Sequence, residues 1–172
     1  MKNIWKAGQL YLDTMEGKPV RDSISEYSEL ALPNDANGHG NLLGGRVMHL
    51  VDLAGAMAAM RHAHKPVVTA SVDSLHFLHP VHISELMILR SSVNRVFRTS
   101  MEVGVKVETE NLMTGKRVHT CSAYLTFVAL GDDKRATPVP PVIPETEEEK
   151  RRYREAGERR EYRLAMRNRL KE

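Results

Sequence analysis

One carboxylate, Asp52, stands inside the longest apolar segment of this chain, and a double glycine, Gly44-Gly45, lies seven residues before it. A loop rich in glycine and asparagine, Asn34-Asp35-Ala36-Asn37-Gly38-His39-Gly40-Asn41, leads into those glycines. Loops of this composition expose backbone N–H groups, and a helix beginning at the glycines adds its positive dipole there. The neighbours of Asp52 in sequence and at helical spacing, Met48, Val51, Leu53, Ala54 and Ala56, are all apolar. Its carboxylate is therefore expected to be partly desolvated and harder to ionise, as a general base or nucleophile requires. Asn37 contributes an amide; taken alone, an Asn-Gly pair is a turn with φ > 0. Backbone donors, an amide and a desolvated acid together suit acyl transfer. The plainer reading of Asp52 is a helix-surface carboxylate or an interface ion pair.

Other constellations are weaker. Gly38-x-Gly40-x-x-x-Gly44 is one residue away from the dinucleotide-binding fingerprint, but no βαβ unit with an acidic strand end follows it. His62, His64, His76, His79 and His82 invite a metal reading. Spacing of three in an extended corner scatters such side chains, and no cysteine pair assists, so no metal is expected. A Ser/His/Asp triad lacks the G-x-S-x-G elbow that would anchor it. Cys121, the single cysteine, sits in a strand-like run and reads as a buried, inert thiol.

The elements that would position these residues follow from periodicity. Glu26–Leu32 reads as a first strand ended by Pro33, and Gly45–His64 as a long helix apolar on most faces. Lys65-Pro66 stops that helix. Period-two patterning then predicts strands over Val67–Phe77, Glu85–Val96, Met101–Val107 and Arg117–Ala129, with a turn at Asn111–Lys116. One helix followed by four consecutive strands excludes a doubly wound parallel sheet. An antiparallel curved sheet wrapped around a central helix fits, and its open edges favour dimerisation.

The resulting division is an extension over 1–24, a domain over 25–130, a Pro-rich linker over 131–144 and a charged helix over 145–172. Thr146 to Glu149 forms a capping-box pattern, and Glu147/Arg151, Glu148/Arg152 and Glu155/Arg159 are favourable pairs. Gly157 is expected to split the mostly solvated tail helix. Tyr162, Met166 and Leu170 make a narrow apolar stripe that could dock.

The 172 residues bound the chain to one domain with a substantial core. Of the net charge of +3, the tail contributes +2, with ten Lys/Arg against eight Asp/Glu. The body is thus nearly neutral, which argues against a nucleic-acid-binding face. No apolar run long enough for a membrane span or a secretory signal is present. The lone cysteine suits a reducing cytoplasm.

The run Asp35-Ala36-Asn37-Gly38-His39-Gly40-Asn41-Leu42-Leu43-Gly44-Gly45, followed by Val51-Asp52, resembles the hotdog-fold acyl-CoA thioesterases, the acyl-CoA hydrolase family. Val67–Ser74 with Phe77-Leu78-His79-Pro80, and Arg98–Val103, resemble later segments of the same family, covering about residues 25–148. The resemblance implies an α+β hotdog fold and hydrolysis of acyl-CoA to free fatty acid and CoA. It implies Asn37 and Asp52 as the catalytic amide and acid, drawn from different subunits of a dimer, with a backbone N–H near Gly44 or Gly45. Arg98 and Ser100 become candidate contacts to the CoA phosphates; Asn41 departs from the family pattern and takes a supporting role. No cofactor beyond the substrate's CoA is implied, and a hexamer built as a trimer of dimers is expected. Two rivals stand beside this reading. A hydratase or dehydratase of the same fold would use His39 or His49 as base, and a non-catalytic acyl-CoA-binding regulator would set its Arg-rich tail on nucleic acid.

Overall fold

The computed structural model describes residues 15–169. The short strand β1 (Lys18–Pro19) leads through a 3-10 turn into β2 (Ser25–Leu30). A second 3-10 turn and the glycine-rich loop precede α1 (Gly44–Ala63). Four strands follow: β3 (Val67–Phe77), β4 (Leu86–Phe97), β5 (Ser100–Glu110) and β6 (Arg117–Ala129). The chain then passes through β7 (Val142–Ile143) into α2 (Glu147–Arg169). The first strand begins and ends earlier than the sequence suggested, because Leu30 is the last residue in register with β4.

The main sheet is antiparallel throughout, in the order β2-β4-β5-β6-β3. Strands β4, β5 and β6 form consecutive hairpins, whereas β3, the strand after α1, lies at the far edge. The α+β hotdog architecture expected from the sequence is the one observed.

Helix α1 lies against the inner face of this sheet. Its buried residues include Val47, Leu50, Val51, Ala54 and Ala58, facing Met101, Val103, Val105, Leu125 and Phe127 from the strands. Small residues bring the backbone close: a Cβ at Gly55 would stand 3.0 Å from the Phe127 ring. At the other end His64 takes a left-handed φ of 49° and closes the helix, its N–H donating to the Met60 carbonyl (2.8 Å). One stripe of α1 is not covered. Met48 and Met60 are exposed, and they share i, i+4 spacing with Asp52 and Ala56.

The segments flanking the sheet pack more tightly than a linker and an extension would. Residues 131–144 turn back onto the body: the Val139 N–H donates to the Arg98 carbonyl (2.8 Å), and Val139 and Val142 are buried. β7 pairs in parallel with β1, and Val20 and Ser23 are buried beside it. Residues 1–14 of the expected extension, and Leu170 of the tail stripe, lie outside the described residues. His62, on the last turn of α1, is fully buried under this strap and its Nε2 is 2.8 Å from the Pro140 carbonyl oxygen. Burial pushes the His62 imidazole below its ordinary range of protonation.

Helix α2 corrects two expectations. It runs unbroken through Gly157, and it is anchored on the sheet's outer face instead of standing in solvent. Glycine at 157 makes room for Arg95, since a Cβ there would fall 2.3 Å from the Arg95 guanidinium. Arg159 binds Glu102, a fully buried carboxylate, at 2.7 Å, and Arg163 is paired with Asp73. The inward stripe is therefore Tyr153, Ala156, Arg159 and Arg163, whereas Tyr162 and Met166 are exposed. The capping box forms as the sequence indicates: the Glu149 N–H donates to Thr146 Oγ1 (3.2 Å), and Glu149 Oε2 accepts from the Thr146 N–H (2.9 Å). Glu147 pairs with Lys150 (2.8 Å) where Arg151 was expected, and Arg151 takes Glu155 (2.7 Å).

Candidate active site

Asn37 shapes its own loop. Its Oδ1 accepts from the backbone N–H groups of His39 (2.9 Å) and Asn41 (3.2 Å), while its own N–H donates to the Asn41 carbonyl (2.7 Å). With the carbonyl side of the amide engaged by the loop, the Nδ2 hydrogens are the part left to meet a ligand. The left-handed residue of the loop is Gly40 (φ 76°), so the turn does not draw on Asn37 for a positive φ.

Contacts on two sides hold the loop to the body. Arg46 spans Glu29 of β2 and Asp35 of the loop (3.2 Å to the latter). On the other side the Leu42 N–H donates to the Val81 carbonyl (2.8 Å), and His82 Nδ1 stands 2.8 Å from Asn41 Oδ1. The supporting role expected of Asn41 therefore has a visible partner.

Helix α1 begins where the loop ends. No side chain caps it, so the N–H groups of Gly44 and Gly45 remain open as first-turn donors. Gly45 is exposed, and a Cβ there would meet nothing within 4 Å. The donors thus face accessible space with positive helix dipole behind them.

Asp52 lies two turns along the helix, about 10 Å from Gly45 on the rise per residue. It is half-buried, with Oδ1 accepting from Thr69 Oγ1 of β3 at 2.6 Å. β3 is one of the two edge strands of the main sheet, unpaired on its outer side among the described residues, and its exposed Val68, Val72 and Phe77 line that edge. The acid thus stands at the open seam between helix and edge strand, away from the Asn37 loop of its own chain. Thr69 is the residue the sequence reading missed. Nothing in a threonine within a β-branched strand separates it from strand-forming neighbours until β3 is laid beside α1.

Arg98 and Ser100 bracket the β4–β5 turn. Arg98 is exposed with φ 55°, and its side chain has no carboxylate partner among the described residues. Ser100 Oγ donates weakly to the Phe97 carbonyl (3.4 Å). In the ladder Ser100 stands opposite Val128, which stands opposite Val68, the neighbour of Thr69. This turn is therefore on the Asp52 side of the molecule, whereas Asn37 and Gly45 sit by the other end of α1.

The rival groups find no such setting. Neither His39 nor His49 is hydrogen-bonded to a carboxylate through its ring among the described residues, and both are exposed. Cys121 is buried in β6, and burial pushes its thiol up to about 11. Among the described residues no cluster of three His, Cys, Asp or Glu could hold a metal ion, and no helix is long and apolar enough to cross a membrane.

Comparison with known proteins identifies relatives of the sequence and of the fold. A profile described as "Thioesterase superfamily" matches residues 39–116. An uncharacterised acyl-CoA thioester hydrolase of Bacillus subtilis, YkhA, is 41% identical over 138 residues, spanning 80% of each chain. A crystal structure of an apo-hexameric acyl-CoA thioesterase superposes with a TM-score of 0.85 at 41% identity, covering 88% of this chain and 97% of that one. The acyl-CoA hydrolase of Staphylococcus aureus, solved with butyryl coenzyme A, coenzyme A and coenzyme A disulfide, gives a TM-score of 0.84 at 36% identity over 90% of this chain and 94% of its own. Variants of the S. aureus enzyme, with an asparagine, an aspartate or a threonine replaced by alanine, have the same fold. Sequence and fold agree: this chain belongs to the hotdog-fold acyl-CoA hydrolase family of the thioesterase superfamily.

Proposed function

We infer that this enzyme hydrolyses acyl-CoA thioesters to free fatty acid and CoA, using Asp52 of one protomer and Asn37 of its partner. The observation that carries the reading is the placement of Asp52, held by Thr69 on an open edge strand (2.6 Å) while its own Asn37 loop lies elsewhere. Pairing two copies along this edge brings the acid of one protomer against the donors of the other. The S. aureus variants support the assignment: the three replaced positions are spaced fifteen and then seventeen residues apart, as are Asn37, Asp52 and Thr69.

The chemistry follows from the free valences. Thr69 occupies one carboxylate oxygen of Asp52, and the other takes a proton from water as the water oxygen bonds to the thioester carbonyl carbon. The resulting oxyanion is met by the Asn37 Nδ2 hydrogens and the Gly45 N–H at a positive helix end. Collapse of this adduct breaks the C–S bond, the CoA sulfur leaves, and the proton on Asp52 returns to it. The exposed Met48 and Met60 and the half-buried Ala56, on either side of Asp52, offer the acyl chain an apolar path beside α1. Arg98 and Ser100 are the proposed contacts to the CoA phosphates. No cofactor takes part in this reading, and we place the reaction in the cytoplasm, with a hexamer of three dimers as the assembly.

A thiol-release assay tests the pair. Asn37→Ala and Asp52→Ala should each reduce acyl-CoA turnover by about two orders of magnitude or more, with the circular dichroism spectrum unchanged. A rate near wild type in either variant would remove that residue from the mechanism. Single turnover in H2-18O separates water attack, which labels the fatty acid directly, from attack by the carboxylate, which labels Asp52.

A further inference from the structure

Helix α2 crosses the outer face of the sheet in strand order. Arg95 of β4 donates to its Tyr153 carbonyl (3.3 Å), Arg159 binds Glu102 of β5 (2.7 Å), and Arg163 is paired with Asp73 of β3. Arg159 also lies 3.7 Å from the ring centroid of Tyr124 on β6. The direction β4, β5, β6, β3 leads to the β3 edge of the sheet, so Arg163 is the last anchor inside the protomer among the described residues.

Beyond Arg163 the described side chains lose part of their cover, with Leu164 37% and Met166 38% exposed. Leu164, Ala165, Met166, Arg167 and Arg169 are all exposed, although Leu164 and Met166 are large apolar residues. Met166 follows the inward-facing Ala156, Arg159 and Arg163 at helical spacing, so the face that lies on the sheet runs on past its edge. Asp73 is next to Val72, the middle residue of the 11-residue β3. An antiparallel pairing of β3 with its copy in a centred register puts Val72 at the two-fold axis. Each α2 then reaches the seam at that axis, with its end above the other protomer. There the outer face of the partner's sheet offers apolar ground at a position such as Val68, 46% exposed in the single chain.

We propose that residues 164–169 of α2 form an intersubunit strap, which crosses the β3 seam and packs its Leu164 and Met166 side chains on the outer face of a second copy of this chain. The inference rests on β3 being the dimer seam proposed above. It also gives the charged tail a purpose: the arginines pin the helix to its own sheet, and the apolar end reaches the neighbour.

Cross-linking with a short bis-maleimide on the full-length protein separates the strap from the seam, since Cys121 is buried. Protomers carrying Met166→Cys, mixed with differently sized protomers carrying Ser74→Cys on the outer face of β3, should yield a heterodimeric product. Val72→Cys should join to its own copy and reports the seam alone. The seam product without the Met166–Ser74 product overturns the strap and leaves the seam standing; absence of both overturns both. In the full-length double variant Leu164→Glu/Met166→Glu, the concentration at which the assembly half-dissociates should rise about tenfold or more. An unchanged dissociation midpoint, with the helical signal retained, would also overturn the strap.

Discussion

At the scale of single residues, the site turns on how each polar atom is already occupied. Asn37 spends its carbonyl oxygen on two loop N–H groups, so the two halves of its amide have separable duties. Asn37→Asp keeps an acceptor for the loop but removes the donor, and it should lower kcat/KM by about a hundredfold or more with little change in melting temperature. Asn37→Ala loses both and should also loosen the loop, which hydrogen exchange at His39 and Asn41 would report. In the proposed mechanism Thr69 acts through Asp52, as a positioning residue. Thr69→Val should lower kcat by about ten- to a hundredfold through misorientation of the acid, with KM for acyl-CoA little changed. Thr69→Ser should recover most of the rate, because it restores the hydroxyl.

The elements explain why these atoms are held where they are. α1 can lie close to the sheet because Gly55 leaves only 3.0 Å between a would-be Cβ and Phe127. Gly55→Val should therefore overpack the core and cost about 1–3 kcal/mol in a denaturant titration. α2 is attached by charges on a face that the sheet buries. Burial holds the Asp73 carboxyl above its ordinary pKa despite the opposing pull of the adjacent Arg163 guanidinium. Glu102 is fully buried beneath Arg159, and Asn94 donates to it as well (3.1 Å). Arg159→Met removes the main ion-pair partner of Glu102, leaving Asn94 and the more distant Arg163 (3.6 Å), and should cost about 3 kcal/mol, much of it recovered when Glu102→Gln is added. The pairs on the solvent side of α2 are worth far less, and changing them one at a time should leave stability almost unmoved.

For the whole molecule, the strap of residues 131–144 ties the chain ends over the last turn of α1 and seals His62 beneath it. Burial favours the neutral form of His62, lowering its pKa from the ordinary 6.5. Lys18 and His64 push the same way, whereas Asp22 and the Pro140 carbonyl oppose them. A group whose folded pKa lies below its unfolded one weakens the fold when the unfolded chain takes up the proton first. Stability should thus be full above pH 6.5 and decline as the pH falls below it, steadily down to the lowered folded value. His62→Gln should flatten that part of a plot of unfolding free energy against pH; an unaltered slope would assign the acid sensitivity to other groups.

Much of the architecture was legible from local patterning. β3 and β6 have the bounds that alternation indicates, and the capping box, the glycine-led start of α1 and the Asp52–glycine spacing are all short-range features. Asp52 could be singled out because a carboxylate is unusual among apolar helix neighbours, whereas Asn37 and Gly45 stood out only through the composition of their loop and the family resemblance. Tertiary structure decided what depends on distant segments meeting. It put Thr69 on Asp52, laid α2 across four strands, and turned a proline-rich stretch into a packed strap. Periodicity reports which residues prefer to be buried, because that preference is set by the residue itself. It carries no record of which surface will cover them, because the covering residues are chosen only when the chain, and then its partner, closes around them.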